Sequence, residues 1–423
     1  MHVHYEPFSA EVRDDPYSFY ATLREHAPVH FAEGVGAYCV SRFEDVRAVL
    51  RDAERFSSDA MRTLLLGAPP GVDPQSDPVA AQRMLAFAQA LPFPLESLIT
   101  SRNLIAEDPP RHGPLRNLVN RGFTPRRIAA WEARVRAVAR ECMAALRTRR
   151  EFDLVHDLAI PLPVTIISEM LGVEPARRHE FKQWSDQLVA GSTGSGWNSD
   201  PIESGLAGAM RSLCEYVQGV AAERRRQPGN DLVSLLLTAQ DGEVALSDAE
   251  LAFFVALLLV AGNETTTNLI GNAANALLRH PAALARVRAD RSLVPALVEE
   301  VLRFDSPVQF VFRRSTCDVD IAGARVPANS HVVVLLGSAN RDERHWGPTA
   351  ASFDVGRDTT GHLAFGLGNH FCLGAALARL EARIVLDELL DELAQLERCH
   401  ERVEYVDSFL VRGPRTLALR RAA

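Results

Sequence analysis

One cysteine of the chain lies in a glycine-rich run just before a predicted helix. Cys372 belongs to residues 365–374, which read FGLGNHFCLG. The glycines permit tight turns and a close approach of the backbone to a flat cofactor, and the first N–H groups of the following helix point a positive dipole end at the sulfur. Such surroundings lower the pKa of a thiol. Because a lone cysteine is more often a small buried apolar residue, this indication needs further support.

A thiolate at this position could be a nucleophile, a zinc ligand or a ligand of haem iron. A nucleophile needs a base, and His370 is close in sequence, but no signature of a cysteine hydrolase is present. Zinc needs further cysteines at metal-ligand spacing, and the six cysteines are scattered without CxxC pairs. Gly366 and Gly368 form only a weak dinucleotide-binding fingerprint, because Phe371 replaces the third glycine. These observations count against a zinc site and a dinucleotide-binding loop, and they leave the role of a thiolate here open.

A second group of chemically capable residues interrupts the most apolar stretch of the chain. Residues 251–262 are almost uniformly apolar, and Asn263, Glu264 and Thr265 follow them at once. Such residues usually face water. An unpaired acid inside a buried helix is costly, however, so here the pattern indicates a cavity or a water channel next to Glu264.

The composition excludes several other classes of function. The chain has 423 residues and a net charge of −8, which disfavours a general nucleic-acid-binding protein. Lys182 is the only lysine among the 46 basic residues, and it lies in neither a phosphate-binding loop nor a pyridoxal-binding context. The scattered cysteines are typical of reduced thiols. Without a signal peptide or an anchor at the N-terminus, we expect a cytoplasmic protein with no membrane anchor.

Hydrophobic periodicity predicts a mainly α fold with a small β region, in a single domain of residues 1–423. The longest helix begins at the capping box of Ser247 and Glu250 and extends to about residue 280. We further predict strands at 38–41, 319–326 and 331–336, helices at 43–50, 125–147, within 158–240 and at 373–397, a long loop with short helices at 61–101, and a flexible break at 191–196.

The run around Cys372 resembles the haem-binding signature of the cytochrome P450 family, FxxGxxxCxG, with Phe365, Gly368, Cys372 and Gly374 at the defining positions. Three further motifs of the family follow the same order, so that the resemblance extends over residues 108–413. It implies the P450 fold and a haem-thiolate monooxygenase. Haem b would lie between the long central helix and the cysteine loop, with Cys372 as the iron ligand.

The resemblance also assigns roles to other residues. It implies that Glu264 and Thr265 deliver protons for the cleavage of dioxygen, and that Glu300, Arg303 and Arg357 form a structural triad that supports the cysteine loop. Further haem-binding positions are implied at His112, Arg116, Ala261, Arg313, Phe365, His370 and Gly374, of which His112, Arg116, Arg313 and His370 would bind the propionates. Without the motif, any one of these arginines would be a surface residue.

Substrate and partners follow from the same resemblance. The segments that form the pocket in the family correspond to apolar residues at Leu95, Val260, Ala261, Val308, Phe310, Phe409 and Leu410. Taken alone, each of them is more often a core residue than a pocket residue. We therefore expect O2 and a hydrophobic small molecule as substrates. Electrons would come from a separate ferredoxin or flavodoxin with its reductase, because no sequence remains for a flavin or iron–sulfur domain. We expect a monomer.

The basic residues near the motif at 108–116 offer a docking surface for an acidic redox partner, namely Arg111, Arg116, Arg121, Arg126 and Arg127. A solvated helix face explains them equally well. Two other functions remain open. A peroxygenase would use hydrogen peroxide directly, which the intact pair of Glu264 and Thr265 disfavours, and a haem carrier or gas sensor would need no such pair.

Overall fold

The structure is a computed structural model, which describes residues 3–65, 77–193, 200, 202–241 and 244–422. Helices dominate it. They are α1 (Ala10–Asp14), α2 (Pro16–His26), α3 (Phe43–Arg51), α4 (Ala60–Leu65), α5 (Pro78–Ala90), α6 (Leu95–Thr100), α7 (His112–Asn120), α8 (Pro125–Ala130), α9 (Glu132–Arg147), α10 (Pro161–Met170), α11 (Arg178–Thr193), α12 (Leu206–Arg226), α13 (Leu232–Thr238), α14 (Asp248–Arg279), α15 (Pro281–Ala289), α16 (Val294–Phe304), α17 (Leu336–Ala339), α18 (Glu343–Trp346) and α19 (Ala375–Leu393).

The β portion is small. Its strands are β1 (Val29–Ala32), β2 (Ala37–Val40), β3 (Phe56–Ser57), β4 (Glu151–Asp153), β5 (Val311–Ser315), β6 (Val319–Ile321), β7 (Ala324–Val326), β8 (His331–Val334), β9 (Leu396–Arg398) and β10 (Ala418–Arg421). One sheet has the order β1-β2-β8-β5-β3, with β2 and β8 parallel and the other pairs antiparallel. The orders β4-β10-β9 and β6-β7 complete the two smaller sheets.

Helix α14 is the central element of the helical body. Its 32 residues make it about 48 Å long at the usual rise of about 1.5 Å per residue. The predicted capping box is present: Glu250 N donates to Ser247 Oγ at 3.2 Å, and Ser247 N donates to Glu250 Oε2 at 2.8 Å. Helices α10, α11, α12, α16 and α19 pack around it. By length and composition α14 could cross a membrane, but most of its apolar window is buried inside the protein, as in a core helix.

The structure confirms most of the predicted elements and changes one. The central helix, the strands near residues 38, 319 and 331 and the last helix are all present within a few residues of their predicted bounds. The flexible break at 191–196 is wrong in its first part, because α11 continues to Thr193. Gly191 serves close packing there, since a side chain would meet Leu206 Cβ of α12 at 2.8 Å. Residues 194–196 of that break, and 66–76 of the predicted long loop, lie outside the described residues.

A carboxyl group is fully buried where α14 meets α19. Glu381 of α19 is 2% exposed, and its Oε1 has no hydrogen-bond partner among the residues that the structure describes. Burial raises the pKa of this carboxyl from its ordinary value of 4.5 to about 8, although a hydrogen bond with Thr266 on α14 opposes the shift. The folded protein therefore holds a proton here that the unfolded chain releases near pH 4.5.

This difference predicts a pH-dependent stability. Between pH 4.5 and about 8 the unfolded chain is ionised at Glu381 while the folded protein is not, so the free energy of unfolding falls as pH rises through this window, by roughly 1.4 kcal/mol per pH unit. Glu381→Gln removes the effect. We expect the Glu381→Gln variant to melt at a higher temperature than the wild type. The difference between the two melting temperatures should be larger at pH 8 than at pH 5. Glu401→Gln, at an exposed position, is the control, and an equal difference at both pH values would contradict the prediction.

Candidate active site

The cysteine loop folds as a tight turn directly before α19. Cys372 N donates to Phe365 O at 2.9 Å, which closes the loop. Gly366 and Gly368 have positive φ angles of 68° and 73°, a conformation that other residues rarely adopt. At Gly368 a side chain would also lie 2.9 Å from Leu50 O of α3. Gly366 and the motif residue Gly368 are therefore needed to form the loop that presents Cys372.

The surroundings of the sulfur supply positive potential. Burial raises the pKa of the Cys372 thiol, and this rise is opposed by the backbone N–H of Gly374, by the guanidinium groups of Arg116 and Arg379, and by the N–H of Ala375. Arg116 is fixed beside the loop because its Nη2 donates to Phe371 O at 2.8 Å. The start of α19 and two cations thus favour the thiolate, although burial keeps the pKa of the thiol above its ordinary value.

Of the four side chains predicted to bind the propionates, two are buried and two, Arg116 and His370, are half-buried. His112 and Arg313 are 3% and 5% exposed, and the rings of His112 and His370 lie 4.4 Å apart. Burial, followed by the charges of Arg313, His112 and Arg116, lowers the pKa of His370 to about 3, and burial lowers that of Arg313 to about 10. His370 is therefore neutral at physiological pH, while Arg313 remains charged.

Among the residues that the structure describes, these four side chains form no ion pair with a carboxylate. Asp108 is the carboxylate that acts on both His112 and Arg313, but its oxygens already accept hydrogen bonds from Ser57 Oγ and Ser58 N. Nε2 of His112 and Nε2 of His370 are buried and without hydrogen-bond partners in the described part of the chain. Because buried polar groups are normally paired, these residues fit a ligand that carries carboxylates, as haem does.

The central helix presents an open face near its middle. Ala261 is exposed although the neighbouring positions Asn263 and Thr266 are 0% and 3% exposed. Thr265 lies one turn further on the same face, and its Oγ1 donates to Ala261 O at 2.6 Å. An exposed alanine in a buried helix indicates an internal cavity, into which the hydroxyl of Thr265 could turn.

Glu264 points away from this face toward α11. Its Oε1 lies 3.6 Å from Lys182 Nζ and accepts a hydrogen bond from Asn263 Nδ2 at 3.3 Å. Burial raises the pKa of Glu264, Lys182 lowers it and Asp186 raises it again. The only lysine of the chain thus contacts the predicted proton donor. Sequence reasoning missed this contact, although the rarity of lysine was a signal.

The predicted triad has the geometry of a buried support. Glu300 and Arg303 are both 0% exposed and joined by two hydrogen bonds of 2.8 Å. Arg303 Nη1 also donates to the carbonyls of Asn340 and Ala350 at 2.9 and 2.8 Å. Arg357 Nε is 3.7 Å from Glu300 Oε1, an ion pair without a hydrogen bond. The three residues bind α16 to the segment that leads into the cysteine loop.

The predicted pocket residues do not all lie in comparable surroundings. Phe310 and Phe409 are 1% and 8% exposed and pack with Phe8, whose ring centroid is 4.3 Å from that of Phe409. The structure therefore favours core packing for these two phenylalanines over the predicted contact with substrate, because their faces are covered by other rings. Val260, Val308 and Leu410 are half-buried, and Leu95 of α6 is exposed.

Some of the arginines predicted to form the docking surface for a redox partner make local contacts within the protein. Arg111 pairs with Glu107 at 3.2 Å, and Arg121 Nη2 donates to Gln240 O at 2.5 Å. Arg126 and Arg127, at the start of α8, are exposed.

Among the described residues no group of three or more His, Cys, Asp or Glu side chains is arranged to hold a metal ion.

Comparisons with known proteins agree with this geometry. The family model described as Cytochrome P450 matches residues 86–404. The cytochrome P450 monooxygenase PikC of Streptomyces venezuelae is 38% identical over 90% of this chain and 85% of its own length. The structure of cytochrome P450 CYP109Q5 from Chondromyces apiculatus has a TM-score of 0.85 and 40% identity, covering 100% of this chain and 99% of that one.

A further solved structure carries a bound ligand. CYP109E1 from Bacillus megaterium, in complex with corticosterone, has a TM-score of 0.81 and is 34% identical, covering 98% of this chain and 100% of that one.

If Cys372 is the iron ligand, removal of its thiol should remove the spectroscopic signature of thiolate ligation. Cys372→Ala should abolish the red-shifted carbon monoxide band of a thiolate-ligated haem, because no other sulfur would remain at the loop. The measurement is the reduced, carbon monoxide-bound difference spectrum of the purified protein. Cys317→Ala, which changes an exposed cysteine, should leave the band intact. Retention of the band in Cys372→Ala would assign the ligand elsewhere.

Proposed function

This chain belongs to the cytochrome P450 family and is a haem-thiolate monooxygenase with haem b as its cofactor, and we propose that Cys372 is the iron ligand. Its reaction inserts one oxygen atom of O2 into a hydrophobic small molecule, by hydroxylation or epoxidation. The observation that carries the assignment of Cys372 is the geometry of its loop: Gly366 and Gly368 turn the backbone at positive φ, and Cys372 N donates to Phe365 O at 2.9 Å directly before α19.

The residues around the cofactor have separate tasks. When bound, haem supplies the activation of dioxygen, which a thiolate ligand favours by donating electron density. His112, Arg116, Arg313 and His370 would bind its propionates, and Ala261, Phe365 and Gly374 would lie against its faces. Glu300, Arg303 and Arg357 would keep the cysteine loop in place.

Glu264 and Thr265 of α14 would transfer protons to the oxygen molecule. Glu264 has a raised pKa, so its carboxyl can hold a proton closer to neutral pH than an exposed glutamate can. The hydroxyl of Thr265 can donate one hydrogen bond while it accepts another from water. In this arrangement Glu264 takes protons on the α11 side of the helix, and Thr265 holds them in the cavity.

Loss of the Thr265 hydroxyl should uncouple the consumption of oxygen and NAD(P)H from the formation of product. Thr265→Ala is expected to bind haem like the wild type and to oxidise NAD(P)H, but to release a larger share of the electrons as hydrogen peroxide. The assay needs a substrate, found by screening hydrophobic compounds for a shift of the haem spectrum to high spin. Thr266→Ala, at the buried neighbouring position, is the control. Unchanged coupling in Thr265→Ala would remove the proposed role.

The substrate we propose is an apolar molecule such as a fatty acid, terpenoid, steroid or polyketide. The half-buried side chains of Val260, Val308 and Leu410, together with Leu95, support an apolar pocket. The corticosterone complex of CYP109E1 shows that a related protein accepts a steroid. A pocket of this kind also excludes water from the reaction.

The electrons would come from a separate ferredoxin or flavodoxin with its reductase. The proposed docking surface centres on Arg126 and Arg127, which are exposed, and on the cysteine loop, where Phe371 is 41% exposed. An acidic partner would be attracted to this surface. We also propose a monomeric, cytoplasmic enzyme that consists of one domain over residues 1–423.

Charge reversal tests this surface. Arg126→Glu with Arg127→Glu should slow haem reduction by an acidic ferredoxin at low salt, and the difference from the wild type should shrink as salt rises, because screening weakens attraction between exposed charges. Reduction is followed by stopped-flow absorbance under carbon monoxide. Arg226→Glu, at an exposed position on α12, is the matched control. Equal rates for the double variant and the wild type at every salt concentration would place the docking site elsewhere.

A further inference from the structure

A second ion-pair cluster joins the cysteine loop to its two supporting helices. His362 lies three residues before Phe365, and its Nε2 is 2.9 Å from Glu299 Oε2 on α16. The guanidinium of Arg379 on α19 donates to both oxygens of Glu299, from Nε at 2.7 Å and from Nη2 at 2.8 Å. One carboxylate therefore binds a loop residue and a helix residue that are 63 and 80 positions away in sequence.

The hydrogen bonds define the charge of the cluster. Ala364 N donates to His362 Nδ1 at 3.2 Å, so Nδ1 accepts and Nε2 carries the proton that is donated to Glu299. Burial opposes the ionisation of Glu299, but Arg379 and His362 hold its pKa at about 2. The cluster thus consists of a carboxylate, a guanidinium and a neutral imidazole, with no net charge. Removal of one charged partner leaves the other uncompensated.

Arg379 also contacts the cysteine loop directly. Its Cζ lies 4.5 Å from the ring centroid of Phe365, a cation–π contact. The carbonyl of Phe365 accepts the hydrogen bond from Cys372 N, so a shift of this residue would move the backbone at the cysteine. Arg379 therefore places a cation next to the loop that carries Cys372.

We propose that Glu299, His362 and Arg379 form an electrostatic latch that holds the cysteine loop and sets the positive potential at the sulfur. These are positioning residues, which act through Phe365 and Cys372, and the proposal rests on Cys372 as the iron ligand. The latch differs from the triad of Glu300, Arg303 and Arg357, which faces the segment around Asn340 and Ala350. Neighbouring glutamates of α16 thus stabilise the loop from two directions.

The latch predicts shifts of opposite sign in the midpoint potential of the haem. Reduction adds an electron to the site, so nearby positive charge favours the reduced form. Arg379→Gln removes a cation and should lower the potential. Glu299→Gln leaves Arg379 uncompensated and should raise it. A purely structural loosening of the loop would shift both variants in the same direction, so the signs distinguish an electrostatic role from a structural one.

The measurement is a spectroelectrochemical titration of the purified, haem-loaded variants, with their carbon monoxide spectra as a check on ligation. Arg383→Gln, at an exposed position one turn further along α19, is the control and should keep the wild-type potential. Arg379→Lys retains the charge and should remain closer to the wild type than Arg379→Gln. Because Arg379 is 37% exposed, low salt should enlarge the shifts.

The possible outcomes separate this proposal from the assignment of Cys372. Potentials of both variants equal to the wild type, or shifted in the same direction, overturn the latch while a thiolate-type carbon monoxide band still supports Cys372. Absence of that band in the wild-type protein overturns the iron ligand itself. If Glu299→Gln does not retain haem, Arg379→Gln and Arg379→Lys decide: a lower potential in the glutamine variant alone supports the latch, and equal potentials contradict it.

Discussion

A sulfur anion inside a protein must be balanced by positive potential, and this requirement determines the structure around Cys372. Burial alone raises the pKa of the Cys372 thiol, which would leave it protonated. The first N–H groups of α19, Arg116 and Arg379 oppose this rise only in part, so the pKa of the thiol stays above its ordinary value, and a metal ion ligated by the sulfur would supply the remaining stabilisation of the thiolate. Since these contributions depend on distance and orientation, the loop must be held in one conformation.

Helix α16 provides much of that rigidity because two consecutive glutamates point to different partners. Glu300 is fully buried and binds Arg303, while Glu299 is half-buried and binds His362 and Arg379. Breaking a buried ion pair leaves an uncompensated charge and costs several kcal/mol, about 3–5. The more exposed pair contributes less to stability, and its importance therefore lies in the charge and position that it gives to the loop.

The central helix α14 must be apolar to pack in the core and polar where it carries Glu264 and Thr265. Most of α14 is apolar and packs tightly in the core, yet Glu264 interrupts it on the side of α11 and Thr265 interrupts it on the open face next to Ala261. The cost of placing an acid there is reduced by Lys182 and Asn263, which contact its carboxylate. Glu381, on the neighbouring helix α19, has no such cation among the described residues, and burial raises its pKa to about 8. Two buried acids in neighbouring parts of the core thus have different properties because their partners differ.

The sequence by itself determined the elements and the chemistry of the site. Helical periodicity, the capping box at Ser247 and the glycines around Cys372 are local signals, and the structure confirms the elements that they predict. Which side chains meet across the fold was decided only by tertiary structure. The contact of Lys182 with Glu264, the core packing of Phe310 and Phe409, and the latch around Glu299 join residues that are far apart in sequence. Local periodicity fixes which face of a helix is apolar, but not which helix packs against it, and charge pairs of this kind depend on that packing.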